Sequence, residues 1–145
     1  MVTLTMRKAM WAATGILGLV IAGGCSPDGP KLYPVKGQVF FDNQPAEGAN
    51  VVLHSAQATE GPNALIPSGI VQADGSFTLR THPYGDGAPP GEYKVVITWY
   101  PPDARELENP RSKLPAKYGN PARTPLTAVV KDGPTELEPF RISAK

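Results

Sequence analysis

Seventeen prolines in 145 residues, all lying between Pro27 and Pro139, set the first limit on this chain. Each proline fixes φ and removes a backbone donor, so repeated prolines break helices and leave room for short strands and turns. Eleven of the 15 glycines fall in the same region, and the three methionines, Met1, Met6 and Met10, fall outside it. This composition predicts an all-β domain. The formal net charge of +1 excludes the basic field that nonspecific nucleic-acid binding needs, and no nucleic-acid partner is expected. A single cysteine, Cys25, excludes an internal disulfide and a cysteine-rich metal cage.

The first 24 residues have a different character. Arg7 and Lys8 precede an apolar run from Ala9 to Ala22, followed by Gly23, Gly24 and Cys25. This is the basic, hydrophobic and small-residue order of an export signal. As a helix the run reaches about 21 Å, short of the roughly 30 Å hydrocarbon core. The alternative is a signal-anchor helix extended through Leu4 to Lys8, with both basic side chains snorkelling to the head groups.

The order Val20, Ile21, Ala22, Gly23, Gly24, Cys25 resembles the lipobox of bacterial lipoproteins, although Ala22 and Gly23 depart from the usual Leu followed by Ala or Ser. The resemblance implies cleavage between Gly24 and Cys25 and a diacylglycerol thioether on Cys25. Such a protein is held to a membrane of the cell envelope, facing its extracytoplasmic side. An ordinary cleavage site that leaves Cys25 a free thiol is the competing reading. A lone exposed thiol in an oxidising compartment is a liability, which favours lipidation. Removal of residues 1–24 takes Arg7 and Lys8 away, leaving 12 basic against 13 acidic residues and a net charge of −1.

Residues 25–34 contain Pro27, Pro30 and Pro34 with little apolar content and are expected to form a flexible tether. From Val35 the hydrophobic period becomes two. Val35, Gly37, Val39 and Phe41 alternate with polar neighbours, as do Ala49, Val51 and Leu53. Ile70–Ala73 and Ser76–Arg80 flank Asp74-Gly75 and predict a compact hairpin. Tyr93, Val95, Ile97 and Trp99 share one side of a further strand; Leu126, Ala128 and Val130, then Phe140 and Ile142, supply the last two. Seven short strands with Gly and Pro turns over residues 35–145 predict a two-sheet Greek-key sandwich.

The order Val35-x-Gly37-x-Val39, Pro45-x-x-Gly48-Ala49-x-Val51-x-Leu53, Asp74-Gly75-x-Phe77-x-Leu79 and Gly91-x-Tyr93-x-Val95-x-Ile97 resembles the carboxypeptidase regulatory-like domain, a transthyretin-like β-sandwich. Leu114-Pro115-x-Lys117-Tyr118 and Thr124-Pro125-Leu126 are similar to small bacterial lipoproteins that carry this domain alone. The resemblance implies a binding or structural accessory without an active site. The hydrolase branch of the transthyretin-like fold requires a C-terminal Tyr-Arg-Gly-Ser, whereas this chain ends Ile142, Ser143, Ala144, Lys145.

The residues carry no Gly-x-Ser-x-Gly elbow, His-Glu-x-x-His pair, phosphate loop or Asp-x-Asp-x-Asp run. His54 and His82 are the only imidazoles, so no metal site or cofactor is expected. Tyr84, Trp99, Tyr100 and Tyr118 lie beside Pro-rich turns and are the candidate ligand contacts, suited to stacking on a glycan or a peptide proline. A structural role is favoured over binding, since Trp99 continues the core-facing alternation and Tyr118 is expected to anchor the irregular segment to the sheet. The mixed charges from Arg105 to Lys117 read as a solvated loop. Lys36 invites comparison with sandwich domains that form Lys–Asn cross-links, but Asn109 and Asn120 fall in loops rather than on a final strand. The expected function is a non-catalytic binding or structural module, with an envelope glycan or protein as partner. The alternative is an envelope hydrolase using loop residues near His54 or His82.

Overall fold

A computed structural model describes residues 29–57 and 64–145. The apolar run, the Gly24–Cys25 junction and the first part of the tether lie outside the described residues. Among the described residues no helix is long and apolar enough to cross a membrane.

The chain forms β1 (Val35–Phe41), β2 (Gln44–Pro45), β3 (Asn50–Ser55), β4 (Ser68–Ile70), β5 (Ser76–Thr78), β6 (Arg80–Thr81), β7 (Gly85–Asp86), β8 (Gly91–Thr98), β9 (Thr127–Val130), β10 (Thr135–Glu136) and β11 (Phe140–Ile142). Among the described residues, helix is confined to 3₁₀ turns at Ala104–Glu106 and Ala116–Gly119. The protein is all-β with two sheets, one of five strands built on β1 and one of six in the order β7-β6-β4-β3-β8-β9.

Strand β1 organises the first sheet. Successive backbone groups of a strand point to opposite edges, and each set here has its own partners. Val35 O and Val39 O accept from Leu79 N and Ala46 N, and Val39 N donates to Gly75 O, all toward β5 and β2. Pro34 O and Lys36 O accept from Thr135 N and Leu137 N, while Asp42 N donates to Ile142 O, toward β10 and β11. The β5 and β2 pairings are antiparallel and the β10 and β11 pairings parallel. Asp42 and Asn43 both take positive φ, 47° and 65°, in the two-residue turn that folds β2 back on β1, where Asp and Asn are well suited.

The core lies between the sheets. Val35, Val39 and Phe77 from the first meet Val51, Leu53, Val95 and Ile97 from the second, all nearly inaccessible to solvent. Full burial of each such side chain contributes about 1.5–3 kcal/mol. Gly37 occupies an inward position because the Phe77 ring fills the space above it: a Cβ there would lie 2.7 Å from Phe77 Cζ.

The expected alternation survives in β1, β3, β5, β8, β9 and β11, but the hairpin across Asp74-Gly75 does not. Strand β4 pairs with β3 and β6, and β5 pairs with β1, so the two belong to different sheets. The turn itself forms: Gly75 N donates to Gln72 O, Gln72 N donates to Ser76 O, and Gly75 has φ 87°. It is a corner between layers. Beyond Leu79 the chain continues as β6 and joins the second sheet, so one extended segment serves both. The crossing brings Thr78 O against Gly69, where a Cβ would lie 2.3 Å from that oxygen.

Ordered pairing also begins two residues earlier than the Val35 boundary. Tyr33 and Ala88 exchange backbone hydrogen bonds, each 3.0 Å, so the chain joins the fold at Tyr33.

Because backbone cannot yield as a flexible side chain does, Gly69→Ala is expected to destabilise the fold by about 1–3 kcal/mol. Urea unfolding measures this, and an unchanged midpoint would contradict the close crossing of β4 and β5.

Candidate functional site

Strand β8 is paired from Tyr93 to Thr98 on the β3 side, but β9 covers only Gly91–Lys94 on the other. The irregular segment after β8 returns to cover the remainder. Thr124 Oγ1 donates to Val95 O at 2.7 Å, Val95 N donates to Leu126 O, and Lys113 N donates to Trp99 O. Leu114 and Tyr118 insert into the core cluster from this segment. Ser112 Oγ accepts from Trp99 N at 3.0 Å and from Leu114 N at 3.2 Å, tying the end of β8 to the returning chain.

Between β8 and the returning segment lies a cleft of about 460 Å³, lined by Thr98, Tyr100, Arg111, Ser112 and the Leu114–Ala116 stretch. Tyr100 is 45% exposed. Arg111 is the only charged residue of the lining, and among the described residues it has no ion-pair partner. No acidic group lines the cleft. Its polar complement is therefore a guanidinium and three hydroxyls.

The four candidate aromatics separate. Trp99 is half-buried and works as a bolt: its Nε1 donates to Glu47 O at 2.8 Å, its ring meets Phe41 edge-on at 6.0 Å, and Lys113 Nζ lies 4.6 Å from its centroid. Tyr118 is buried at 7% exposure and packs in the core, which removes it as a ligand contact. Tyr84 is exposed in the β6–β7 turn. Four strand steps separate β7 from β8, about 19 Å at ordinary strand spacing, so Tyr84 and Tyr100 do not form one platform. Among the described residues, Tyr100 is the one of the four that lines this cleft.

The histidines also lie apart. His54 sits opposite Lys94 on the β3–β8 ladder and is half-buried. His82 is exposed and shares a cleft of about 180 Å³ with Ser68, Arg80 and Thr81. No hydrogen bond joins Ser68 to His82 among the described residues, the Thr81 hydroxyl donates to Gly87 O, and Arg80 is paired with Asp86 at 2.8 Å. A further cleft, about 510 Å³, lies where the chain enters β1 and is lined in part by Lys36 and Glu136, an exposed ion pair at 3.6 Å. That pair occupies the Lys36 ammonium.

Among the described residues three titratable groups shift, and all lie outside these clefts. The Ser76 hydroxyl and amide hold the Asp74 carboxyl below its usual range. The Tyr33 hydroxyl raises Lys31, and burial raises Tyr93, whose hydroxyl donates to Pro89 O. Among the described residues no group of three His, Cys, Asp or Glu side chains is placed to hold a metal ion.

Arg111 and Ser112 are the functional candidates that the solvated-loop reading missed. Their neighbours in sequence carry no periodic pattern, and their meeting with Thr98 and Tyr100 depends on the returning chain. The Ser112 hydroxyl holds two otherwise orphaned amides, so Ser112→Ala is expected to cost about 1–3 kcal/mol and to speed hydrogen exchange at Trp99 and Leu114. Amide exchange followed by NMR checks this; protection equal to wild type would refute the tie.

No protein-family model, curated protein or solved structure matches the chain.

Proposed function

We propose that this chain is an exported lipoprotein, anchored to a membrane of the cell envelope through Cys25, whose β-sandwich is a non-catalytic binding module of the carboxypeptidase regulatory-like, transthyretin-like Greek-key type. The observation that carries the reading is an opposition of ends. The chain enters the domain at Tyr33, beside the start of β1, whereas Trp99 and the Tyr100–Arg111 cleft lie at the other end, where the Trp99 ring meets Phe41 at the close of β1. The seven residues of β1 span about 23 Å. Eight residue steps from Cys25 to Tyr33 reach at most about 28 Å. A lipid on Cys25 then leaves the cleft on the side of the domain away from the membrane, available to an envelope glycan or protein.

The anchor is tested by intact-mass measurement of wild type and Cys25→Ser produced in a lipidating host. Wild type is expected to carry a diacylglycerol adduct that the variant lacks; unmodified Cys25 in wild type would defeat the reading.

The second reading, a hydrolase, has in its favour the cleft shared by His82 and Ser68 and against it the missing hydrogen bond between them. A base that activates a serine must reach its hydroxyl, directly or through one water. Hydrolysis of p-nitrophenyl acetate by wild type is expected to equal that of Ser68→Ala and His82→Ala. A loss of turnover in both variants would favour the enzyme instead.

A further inference from the structure

We propose that the cleft between Tyr100 and Arg111 binds a carboxylated sugar, a hexuronate residue of an acidic polysaccharide. The inference rests on the binding part of the function above and is independent of the anchor.

Four features of the cleft converge on this ligand. First, its volume of about 460 Å³ falls within the roughly 300–1,000 Å³ of ordinary small-ligand sites. Second, its charge is one-signed: Arg111 stands without an acidic partner among the described residues, and its planar fork matches a carboxylate in a two-bond geometry. Third, its hydroxyls are free to donate. Ser112 Oγ uses its lone pairs on the Trp99 and Leu114 amides and keeps its proton, while the Thr98 and Tyr100 hydroxyls make no hydrogen bond among the described residues. Fourth, Tyr100 offers an exposed ring at the end of β8, and an aromatic face of this kind receives the C–H face of a pyranose.

The backbone argues for a sugar over a peptide. An extended peptide is normally gripped by a free strand edge. Here the end of β8 is already occupied, since Trp99 N donates to Ser112 and Trp99 O accepts from Lys113 N. What the cleft presents is side-chain chemistry: one cation, hydroxyls and an aromatic ring. A neutral sugar would leave Arg111 without its match, and an aliphatic acid would leave Tyr100 without a flat partner.

The test is isothermal titration of the full chain in detergent micelles with trigalacturonate, with its methyl ester, and with a short acetylated peptide ending in a free carboxylate. Trigalacturonate is expected to bind, and esterification to weaken it at least about tenfold, since charge-assisted hydrogen bonds are lost. Arg111→Gln is expected to produce a similar loss and Tyr100→Ala a loss of about five- to tenfold. Arg105→Gln, in the 3₁₀ turn outside the cleft, is expected to bind as wild type does. Matching thermal unfolding midpoints show that the variants are folded. No binding of trigalacturonate, equal binding of the ester, or undiminished binding by Arg111→Gln would overturn the proposal. Binding of the peptide in place of trigalacturonate would also overturn it, while leaving the binding-module reading intact.

Discussion

Strand β1 is hydrogen-bonded along both edges by segments drawn from well-separated parts of the chain, and the rest of the structure depends on that arrangement. On one edge it takes β5 and β2, on the other β10 and β11. None of these four strands exceeds three residues. Such pieces have little stability of their own, because a short isolated ladder does not offset the entropy of ordering it. Each is held by a β1 backbone group, and β5, β10 and β11 also by an inward side chain, as Phe77 is held above Gly37 and Phe140 beside Phe77 with ring centroids 6.4 Å apart. The C-terminal strands thus close the sheet that the first strand begins, and the fold is built largely from long-range pairings.

The two sheets are tied differently at their two sides. On one side the segment through β5, Leu79 and β6 passes from the first sheet to the second, and the Tyr33–Ala88 bridge adds a further link. Strand switching of this kind removes exposed edges by turning one strand into a corner. On the other side β9 covers half of β8, and the irregular Ser112–Leu126 stretch supplies the rest through Ser112, Thr124 and two core side chains. A stretch that satisfies strand-edge groups with side chains does not have to be straight. Its departure from β8 at Tyr100 opens the cleft.

Much of the framework was legible in the sequence because period-two alternation is a local property of half-buried strands. Val35, Val39, Val51, Leu53, Val95 and Ile97 are all inward, as their spacing requires. What pairs with what was less legible. Asp74-Gly75 favours a tight turn whether the strands beside it join one sheet or two, and the decisive feature, Gly69 beneath Thr78 O, is a meeting of distant residues. Two-residue strands such as β7 and β10 carry no periodicity. The Trp99 alternation placed it on the inner side correctly in phase, but the strand ends there and the indole reaches Glu47 O at the rim. Arg111 was indistinguishable from its charged neighbours until the fold set it beside Tyr100.

The prolines that first restrict the chain also account for the quality of the cleft. Pro101, Pro102, Pro110, Pro115, Pro121 and Pro125 all fall in the segment that leaves β8 and returns to it. Each lowers the conformational freedom of the unfolded segment, so less entropy is lost when it takes one path. Each also lacks an N–H, so a stretch that follows no ladder leaves fewer donors to satisfy. Pro115 leads directly into the 3₁₀ turn that buries Tyr118, and Pro125 lies between the Thr124 hydroxyl bond and the Leu126 carbonyl bond to Val95. The irregular wall of the cleft is therefore fixed before any ligand arrives. In the proposed site, a wall held in this way would add little ordering entropy of its own to the cost of binding.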